Sequence, residues 1–460
     1  MSTWYRFDSL QTPGGWLTPA WLAVADDGSI AEIREQAPDG VSVETVAGPA
    51  IPGLSNLHSH AFQRAMAGLA EGPATSEDDF WSWREVLYRF VERLTPDDLE
   101  AIAAQLYGEM LRHGYTGVVE FHYLHRAADG GAYDDPAEMA HRLAQAAGRT
   151  GIALTLAPTL YISNGFGGRP ADTGQRRFVN SVEDHLRLIE SAAAGLDDTG
   201  NQAIALALHS LRAVPPDALA QAVAGFSVDR PDRPIHIHCA EQTKEVEECL
   251  AWSGARPVEW LLANADIDAR WCLVHATHMT GDETEGLAKS GAVAGICPTT
   301  EADLGDGLFP LRTYLAAGGR FGVGSDSHVA VSAAEELRWL EYGQRLNERR
   351  RNRAGDATRS AARRLYDDAA AGGAQAAGRR TGRLEAGARA DLVVLDPTDP
   401  GLVARAGDRL LDGYIFRGGD NPVRDVMVGG KWVVRDGRLP EQAAIAERFR
   451  RCMQRLLDGS

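Results

Sequence analysis

The sequence is nearly devoid of lysine and contains little cysteine. Among its 460 residues the only lysines are Lys244, Lys289 and Lys431, and none of the five cysteines forms a CxxC pair. The cysteines are Cys239, Cys249, Cys272, Cys297 and Cys452. An odd number of cysteines with this spacing argues against a disulfide framework and against a thiolate zinc site. It favours a reducing compartment, and we expect a cytoplasmic protein.

Long apolar runs and an excess of positive charge are also missing. No run approaches the roughly 18 residues needed to span a bilayer, and no N-terminal stretch joins a basic start to an apolar segment. Acidic residues outnumber basic ones by 64 to 47, which gives a net charge of −17. This balance argues against nucleic acids and anionic membranes as partners. We expect a soluble protein whose 44% hydrophobic content supports a large core.

β-rich runs alternate with helical segments through the middle of the chain. The predicted strands are 50–57, 117–122, 153–160, 203–209, 234–239, 271–276, 292–297 and 320–324. Segments between them, such as 182–194, 216–224, 246–252 and 282–290, carry apolar residues at three- and four-residue intervals, as amphipathic helices do. Eight such units predict an α/β fold, the (β/α)8 TIM barrel, with functional groups at the C-terminal strand ends. An open doubly wound sheet is the alternative, but no strand opens on a glycine-rich phosphate loop.

The two ends of the chain have a different pattern, with short strands and tight turns. They predict one small flanking β-sandwich domain built from residues 1–49 and 379–460, the second part including a terminal helix. Residues 50–378 are then the metal-dependent barrel with a helical extension over 333–378. A long insertion at 75–93, between the first two barrel strands, is typical of a lid or pocket wall.

Polar residues end four of the predicted barrel strands. Residues two apart on a strand face the same way, so His58 and His60 can both point into the barrel mouth. His238 at the fifth strand and Asp326 at the eighth complete a set of three imidazoles and one carboxylate. Such a set predicts one divalent metal ion per subunit, with Zn²⁺ favoured and Fe²⁺ or Mn²⁺ as alternatives. His236 would lie one layer deeper, as a hydrogen-bonded core histidine.

Two more strand-end groups can move protons. A bound metal can lower the pKa of water to about 7. Hydrolysis then requires one proton to leave the water and one to reach the departing group. We predict that His275 and Asp326 orient and deprotonate the water, and that Glu241 protonates the leaving group. His278 and His328 lie beyond their strand ends, where loop or supporting roles are expected.

This arrangement resembles the amidohydrolase superfamily, whose barrels carry HxH on strand one, histidines on strands five and six, and aspartate on strand eight. The resemblance extends to the segment 382–392 and implies a metal-dependent hydrolase of a carbon–nitrogen bond, with a homodimer as the expected assembly. Many relatives hold two metals bridged by a carboxylated lysine of the fourth strand, but no lysine precedes Lys244. Glu120 is a conceivable bridge instead. The segment 236–241 nevertheless looks like the mononuclear deaminase branch, so one metal is expected.

The substrate prediction rests on further stretches of the same resemblance. Deaminases of this branch act on purines, pyrimidines, triazines or one acyclic amidine, and segments 52–69, 120–123 and 209–214 resemble the enzymes for the acyclic amidine. That small molecule is a dicarboxylate. Arginine pairs well with carboxylates, and neutral donors can assist it. The predicted substrate-binding residues are Gln63, Arg84, Tyr123, His209 and Arg212.

Two rival interpretations stay open at this point. One is a deaminase of an aromatic base such as guanine, S-adenosylhomocysteine or a triazine. The other is a catalytically silent barrel with a structural metal. Glu241 and His275 argue against the second, because a purely structural ion needs neither of them.

Overall fold

The described part of the chain forms two β-sheets with helices packed around them. The computed structural model describes residues 2–71, 80–197 and 199–458. The strands are β1 Ser2–Thr12, β2 Gly15–Leu17, β3 Ala20–Ala25, β4 Ile30–Arg34, β5 Val43–Pro52, β6 Leu54–Ser59, β7 Tyr115–His122, β8 Ala153–Leu160, β9 Gln202–Ile204, β10 Leu206–Ser210, β11 Ile235–Cys239, β12 Trp271–His275, β13 Val293–Ile296, β14 Arg320–Val323, β15 Leu392–Leu395, β16 Val423–Val428 and β17 Lys431–Val434.

The central sheet is a nearly closed barrel of eight parallel strands within the described residues. Its strands neighbour one another in the order β6, β7, β8, β10, β11, β12, β13, β14, and the short β9 pairs with β8. A parallel bridge between Ser59 and Asp326 brings the last strand back to the first. Strands such as β7 and β8 are buried along their whole length, because helices outside and side chains inside cover both faces. The predicted (β/α)8 barrel is confirmed.

The first barrel strand differs from its prediction. The predicted strand 50–57 combines the end of β5, which belongs to the flanking sheet, with the start of β6, which belongs to the barrel. Gly53 separates them, and a β-carbon at this position would overlap the side chain of Thr116. The apolar run is continuous in sequence, so periodicity alone does not reveal that the chain changes sheets here.

The helices match the predicted alternation. They are α1 Phe80–Val91, α2 Pro96–Arg112, α3 Glu138–Thr150, α4 Val182–Ala194, α5 Pro216–Asp229, α6 Thr243–Ser253, α7 Pro257–Asn264, α8 Gly281–Ser290, α9 Pro298–Asp303, α10 Leu311–Ala316, α11 Ala333–Glu348, α12 Ala361–Ala376, α13 Asp408–Phe416 and α14 Gln442–Leu457. The predicted helix 182–194 coincides with α4. The predicted extension 333–378 consists of two helices, α11 and α12. No helix among the described residues has the length and apolarity to cross a membrane.

Strands from both chain ends form the flanking sheet, in the order β17, β16, β15, β5, β1, β3, β4, with β2 added to β1. The sheet has its own apolar core, in which Phe7 and Leu22 from the N-terminal strands meet Val394 and Met427 from the C-terminal ones. This confirms that both ends build one β-module beside the barrel. The exact domain limits at 49/50 and 378/379 stay predictions.

Candidate active site

Four predicted metal-binding side chains meet at the barrel mouth. His58 and His60 come from β6, His238 from β11, and Asp326 follows β14. His58 Nε2 lies 3.1 Å from His60 Nε2 and 3.0 Å from His238 Nε2. One carboxylate oxygen of Asp326 lies 3.4 Å from His58 Nε2 and 3.3 Å from His60 Nε2. The four donor atoms therefore surround one point.

The opposite ring nitrogens explain why these atoms face inward. His60 Nδ1 donates to the carbonyl of Phe121 at 2.8 Å, and His238 Nδ1 donates to the carbonyl of His209 at 2.9 Å. With the proton on Nδ1, each Nε2 carries a lone pair directed at the shared point. Burial lowers the pKa of His58 to about 3 and also lowers the pKa of His60, so both rings are neutral, the form that binds metals.

The donor set fits a divalent ion. Several unprotonated nitrogens about 3 Å apart repel one another unless a cation lies between them. Tetrahedral coordination with bonds of about 2.0–2.1 Å places ligand atoms roughly 3.3 Å apart, close to the separations found here. Asp326 balances part of the charge, and His58 and His238 also group with His275 in a second set of potential ligands. Three imidazoles and a carboxylate suit Zn²⁺ without excluding Fe²⁺ or Mn²⁺.

Left-handed backbone conformations direct the functional side chains at several strand ends. Ala240, His275 and Asp326 have φ angles of 53°, 68° and 47°. Such conformations are unfavourable for residues with a β-carbon and tend to concentrate at functional sites. The buried carboxylate of Glu245 stabilises one of these turns, because it accepts the backbone N–H groups of Ala240 and Glu241, each at 3.2 Å. The chain can therefore turn sharply and still project Glu241 into the mouth.

The two predicted proton carriers are neighbours. His275 Nε2 lies 3.6 Å from Glu241 Oε1 and 3.8 Å from Asp326 Oδ2. On its other side, His275 Nδ1 lies 3.3 Å from Glu301 Oε1, whose position is fixed by the backbone N–H of Cys297 at 2.8 Å. His275 is thus held between a carboxylate at its back and two carboxylates in the mouth.

The charges of Glu241, His275 and Asp326 shift one another's pKa values. Burial raises the pKa of Glu241, and His275 and Arg212 oppose that shift. Burial alone would lower the pKa of His275, but Glu241, Glu301 and Asp326 outweigh it and raise the pKa to about 10. Burial also opposes ionisation of Asp326, yet His58, His60 and His275 lower its pKa. Glu241 and His275 therefore act as a pair that shares a proton while Asp326 stays ionised.

One pocket contains all of the predicted catalytic and substrate-binding side chains. Its lining residues are His60, Gln63, Trp83, Arg84, Leu87, Tyr88, Tyr123, Tyr161, Phe178, His209, Arg212, His238, Glu241, His275, Thr300, Leu304, Asp326 and Ser327. His58 lies fully buried behind this lining. Of the predicted pocket-wall segment 75–93, residues 75–79 lie outside the described part, whereas Trp83, Arg84, Leu87 and Tyr88 on α1 do line the pocket.

Arg212 is a buried cation on the wall of this pocket. Its guanidinium lies 3.9 Å from Glu241 and 4.0 Å from Glu245, and burial only partly offsets the effect of these acids, which raise its pKa.

Arg84 stacks over the ring of Tyr88, with 5.2 Å between the guanidinium carbon and the ring centroid. Gln63 Nε2 donates to the Tyr123 hydroxyl at 2.9 Å. The ring of His209 packs edge-on against Tyr123 and Tyr161.

The structure adds residues that the sequence did not single out. Tyr88 and Tyr161 line the pocket, and the buried amide of Gln175 donates to both hydroxyls, at 3.3 Å and 2.7 Å. Glu245 and Glu301 support the strand ends from the first turns of α6 and α9. The sequence did contain a signal for the two glutamates, because each follows by four residues a strand-end residue whose backbone N–H it accepts. The tyrosines come from segments far apart in sequence and carried no such signal.

Other histidines and Glu120 have separate partners. His236 Nε2 donates to the carbonyl of Ala376 at 2.9 Å, as expected of a core histidine. His328 bonds to the hydroxyls of Ser325 and Ser59 at 2.9 Å and 3.1 Å. Glu120 accepts from Ser59, Ala61 and Tyr107, so the described contacts direct its carboxylate to these donors.

Comparison with known proteins agrees with this geometry. A model of the amidohydrolase family matches residues 50–433. The chain is 53% identical over 447 residues to formimidoylglutamate deiminase of Pseudomonas aeruginosa, covering 97% of this chain and 98% of that one. It is 28% identical to a 5-methylthioadenosine/S-adenosylhomocysteine deaminase of Natronomonas pharaonis, over 90% and 88% of the two chains.

A solved structure matches the whole architecture. The amidohydrolase from Brucella melitensis is 46% identical, covers 99% of this chain and 100% of that one, and superposes with a TM-score of 0.93. The barrel, the flanking sheet and the sequence thus point to one group of proteins. The chain belongs to the amidohydrolase family.

Proposed function

We propose that this enzyme hydrolyses N-formimidoyl-L-glutamate to N-formyl-L-glutamate and ammonia, a step of histidine catabolism. One observation carries the proposal: a three-histidine, one-carboxylate group with adjacent proton carriers shares a single pocket with two arginine side chains. The metal-binding group and its proton carriers suit hydrolysis at an amidine carbon. The two arginines suit a substrate with two carboxylates. The extensive identity to a formimidoylglutamate deiminase supports the same substrate.

His58, His60, His238 and Asp326 would hold one divalent ion per subunit, with Zn²⁺ favoured. When bound, such an ion supplies Lewis acidity and lowers the pKa of a neighbouring water. His60 and His238 keep their lone pairs directed inward because backbone carbonyls hold their Nδ1 protons. Loss of either carbonyl contact should weaken the site, as changes behind metal-binding histidines commonly do.

Glu241, His275 and Asp326 handle the protons. A C–O bond forms between water and the amidine carbon, and the C–N bond to the terminal nitrogen breaks. We assign His275 and Asp326 to orient the water and take its proton, since they lie 3.8 Å apart on the same side of the mouth. Glu241, 3.6 Å from His275, can receive that proton and deliver it to the departing nitrogen. The raised pKa of Glu241 lets this carboxyl hold the proton at neutral pH until it is delivered to the departing nitrogen.

Arg212 and Arg84 are assigned to the substrate carboxylates. Arg212 is buried at the pocket wall, where a charge-assisted hydrogen bond is stronger than at the surface. Tyr88 positions Arg84 by stacking, and the hydrogen-bonded pair Gln63–Tyr123 offers neutral donors nearby. His209 is assigned to the same wall, because its ring packs between Tyr123 and Tyr161.

Ammonia release from a substrate panel tests the proposal. The zinc-loaded enzyme should turn over formimidoylglutamate, and guanine, S-adenosylhomocysteine and a triazine should release no ammonia. Arg212→Met should raise KM for formimidoylglutamate roughly 10- to 100-fold, the worth of a hydrogen bond to a charged group. With N-methylformamidine, which lacks carboxylates, the variant and the parent enzyme should have the same KM. Turnover of a purine without turnover of formimidoylglutamate contradicts the proposal.

Two broader properties belong to the same proposal. We expect a homodimer, which sedimentation of the purified protein tests, and a cytoplasmic location, which cell fractionation tests. The family resemblance supports the homodimer, and the five free cysteines support a reducing compartment.

A further inference from the structure

A second polar group lies beside Glu241 and His275, on the loop that follows α9. Single ligand atoms of Glu241, His275 and Asp306 all lie within 4.8 Å of one another. Asp306 is only 4% exposed, and among the described residues it does not belong to the lining of the substrate pocket. Its Oδ1 accepts a short hydrogen bond from Gln242 Nε2. Glu241 and His275 take part in the proposed hydrolysis, whereas the carboxylate of Asp306 has no role in it.

Three buried polar atoms here lack hydrogen-bond partners among the described residues: Asp306 Oδ2, Thr277 Oγ1 and His278 Nε2. They lie around Gly307, since a β-carbon on this glycine would come within 3.4 Å of both Thr277 Cγ2 and His278 Cε1. Buried polar atoms are almost always paired, so a cluster of unpaired ones indicates a ligand, an ion or a water. Asp306 in this cluster lies next to Glu241 and His275, the groups assigned to proton transfer.

The surrounding charges favour a small monovalent cation, and the spacing admits ammonium. Glu241, Glu301, Asp306 and Asp326 place four carboxylates around His275. Burial and the nearby carboxylate of Glu241 raise the pKa of Asp306, a cost that a bound cation would relieve. A tetrahedral donor with hydrogen bonds of about 2.9 Å spans acceptors up to roughly 4.7 Å apart.

We propose that Asp306, together with Glu241 and Thr277, binds the ammonium product and releases it by a route separate from the substrate pocket. The inference rests on the proposed deamination. At neutral pH the amidinium R–NH–CH=NH₂⁺ and water give R–NH–CHO and NH₄⁺, so charge and atoms balance without a further reactant. The water oxygen becomes the formyl oxygen, and both water protons end on the departing nitrogen, which leaves as NH₄⁺.

The fold offers such a route. The second product keeps both carboxylates of the substrate and would still occupy the arginine side of the pocket. A surface groove between α9 and α11 reaches Gly307 and Glu301, and Glu301 also contacts His275. Asp306 is close to Glu241, and the next residue in the chain, Gly307, lines the groove. We assign the path from Glu241 past Asp306 to the groove as the exit of the ammonium ion, which then need not cross the bound organic product.

Thallous ion, an anomalous scatterer close to ammonium in size, provides a direct probe of the site. Crystals of the zinc-loaded enzyme soaked in thallous acetate should show an anomalous peak within hydrogen-bonding distance of Asp306 and Glu241, and Asp306→Asn should lose it. A zinc peak at this position, or no thallium peak in the parent enzyme, overturns the proposal. If thallium binds but formimidoylglutamate yields no ammonia, the proposed function fails while the cation site stands.

Product inhibition gives an independent measurement. Ammonium chloride should inhibit the parent enzyme, whereas equal concentrations of tetramethylammonium chloride, which is too large for the site, should not. Asp306→Asn should raise the inhibition constant for ammonium at least tenfold. Asp303→Asn, which changes an exposed carboxylate at the end of the preceding helix α9, should leave it unchanged. Thr277→Val, which preserves shape, should raise it several-fold and serves if the Asp306 variant fails to fold. Equal ammonium inhibition in all variants refutes the assignment.

Discussion

The mouth and the floor of the barrel use the same residue type in opposite ways. His238 and His236 lie two residues apart on β11 and face the same direction. At the mouth, His238 donates through Nδ1 to a carbonyl and turns Nε2 towards His58 at 3.0 Å. At the floor, His236 donates through Nε2 to the carbonyl of Ala376 on α12. The backbone partner decides which nitrogen is available.

The backbones of the two ends differ as well. At the mouth, non-glycine residues such as Ala240, His275 and Asp326 adopt left-handed conformations. At the floor, Gly372 and Gly373 of α12 pack directly on the backbone of Phe321 and Ser55, where a β-carbon would collide. The floor therefore gains close packing, while the mouth keeps strained turns and buried charges. This contrast is the expected division between stabilising and functional ends of a barrel.

Substituting each of the two histidines in turn tests the contrast between mouth and floor most strongly. His238→Ala should remove the bound metal and lower ammonia release by at least about 10³-fold, because no remaining side chain restores the donor set. His236→Gln keeps a donor for the Ala376 carbonyl and should retain full metal content. Metal analysis of both purified variants, beside ammonia assays, measures the difference. Equal metal loss in the two variants would show that the floor histidine also shapes the site.

Within the mouth, metal binding and proton transfer can be separated. Glu241→Gln should keep one metal per subunit and reduce kcat by roughly 10²- to 10⁴-fold, the usual worth of a positioned acid or base. Glu247→Gln, an exposed position on α6, is the matched control and should behave like the parent enzyme. Metal content and steady-state ammonia release are the two readouts. Full activity of the Glu241 variant contradicts its assigned role.

The mouth was the more predictable end from sequence. Strand periodicity fixes the directions of His58 and His60, and the barrel rule brings strand ends together, so distant motifs could be combined. The structure indeed places His238, His275 and Asp326 beside them. Their roles remain proposals. Tyr88 lies in the predicted pocket wall 75–93 but was not singled out as a residue. Tyr161 and Asp306 escaped prediction because loops and helix packing place them, and no local sequence pattern indicates that placement.

The floor was less predictable for a related reason. The apolar run through Gly53 gave no sign that β5 ends and β6 begins in another sheet. The close approach of α12 to β14 depends on Gly372, which in sequence looks like a weak point of a helix. Only the contact with Phe321 explains the glycine. Close backbone packing requires a glycine, which the sequence shows, but the sequence does not show which segment the glycine packs against.

Substitution at the floor should affect stability without affecting chemistry. Gly372→Ala places a methyl group against the Phe321 carbonyl and should destabilise the fold by about 3 kcal/mol, near the upper end for overpacking. Gly281→Ala, where a β-carbon meets open space, is the control and should change stability by less than about 0.5 kcal/mol. Thermal unfolding gives the shift, and metal per folded protein should stay constant. Lost metal at unchanged stability would argue that the two ends are coupled.

The smallest expected effect concerns His125, which lies near the mouth but resembles the floor histidine. Its Nε2 donates to the carbonyl of Thr159 at 2.9 Å, and burial lowers its pKa to about 4. An unfolded histidine titrates near 6.5, so between these values the unfolded chain binds the extra proton, and stability falls as the pH drops from 6.5 towards 4. At pH 5 the loss should reach about 2 kcal/mol. His125→Gln, which retains a donor, should lack this contribution. Unfolding of both proteins from pH 7.5 to 5 measures it, and curves that stay parallel would place the acid sensitivity in other buried histidines such as His122 and His185.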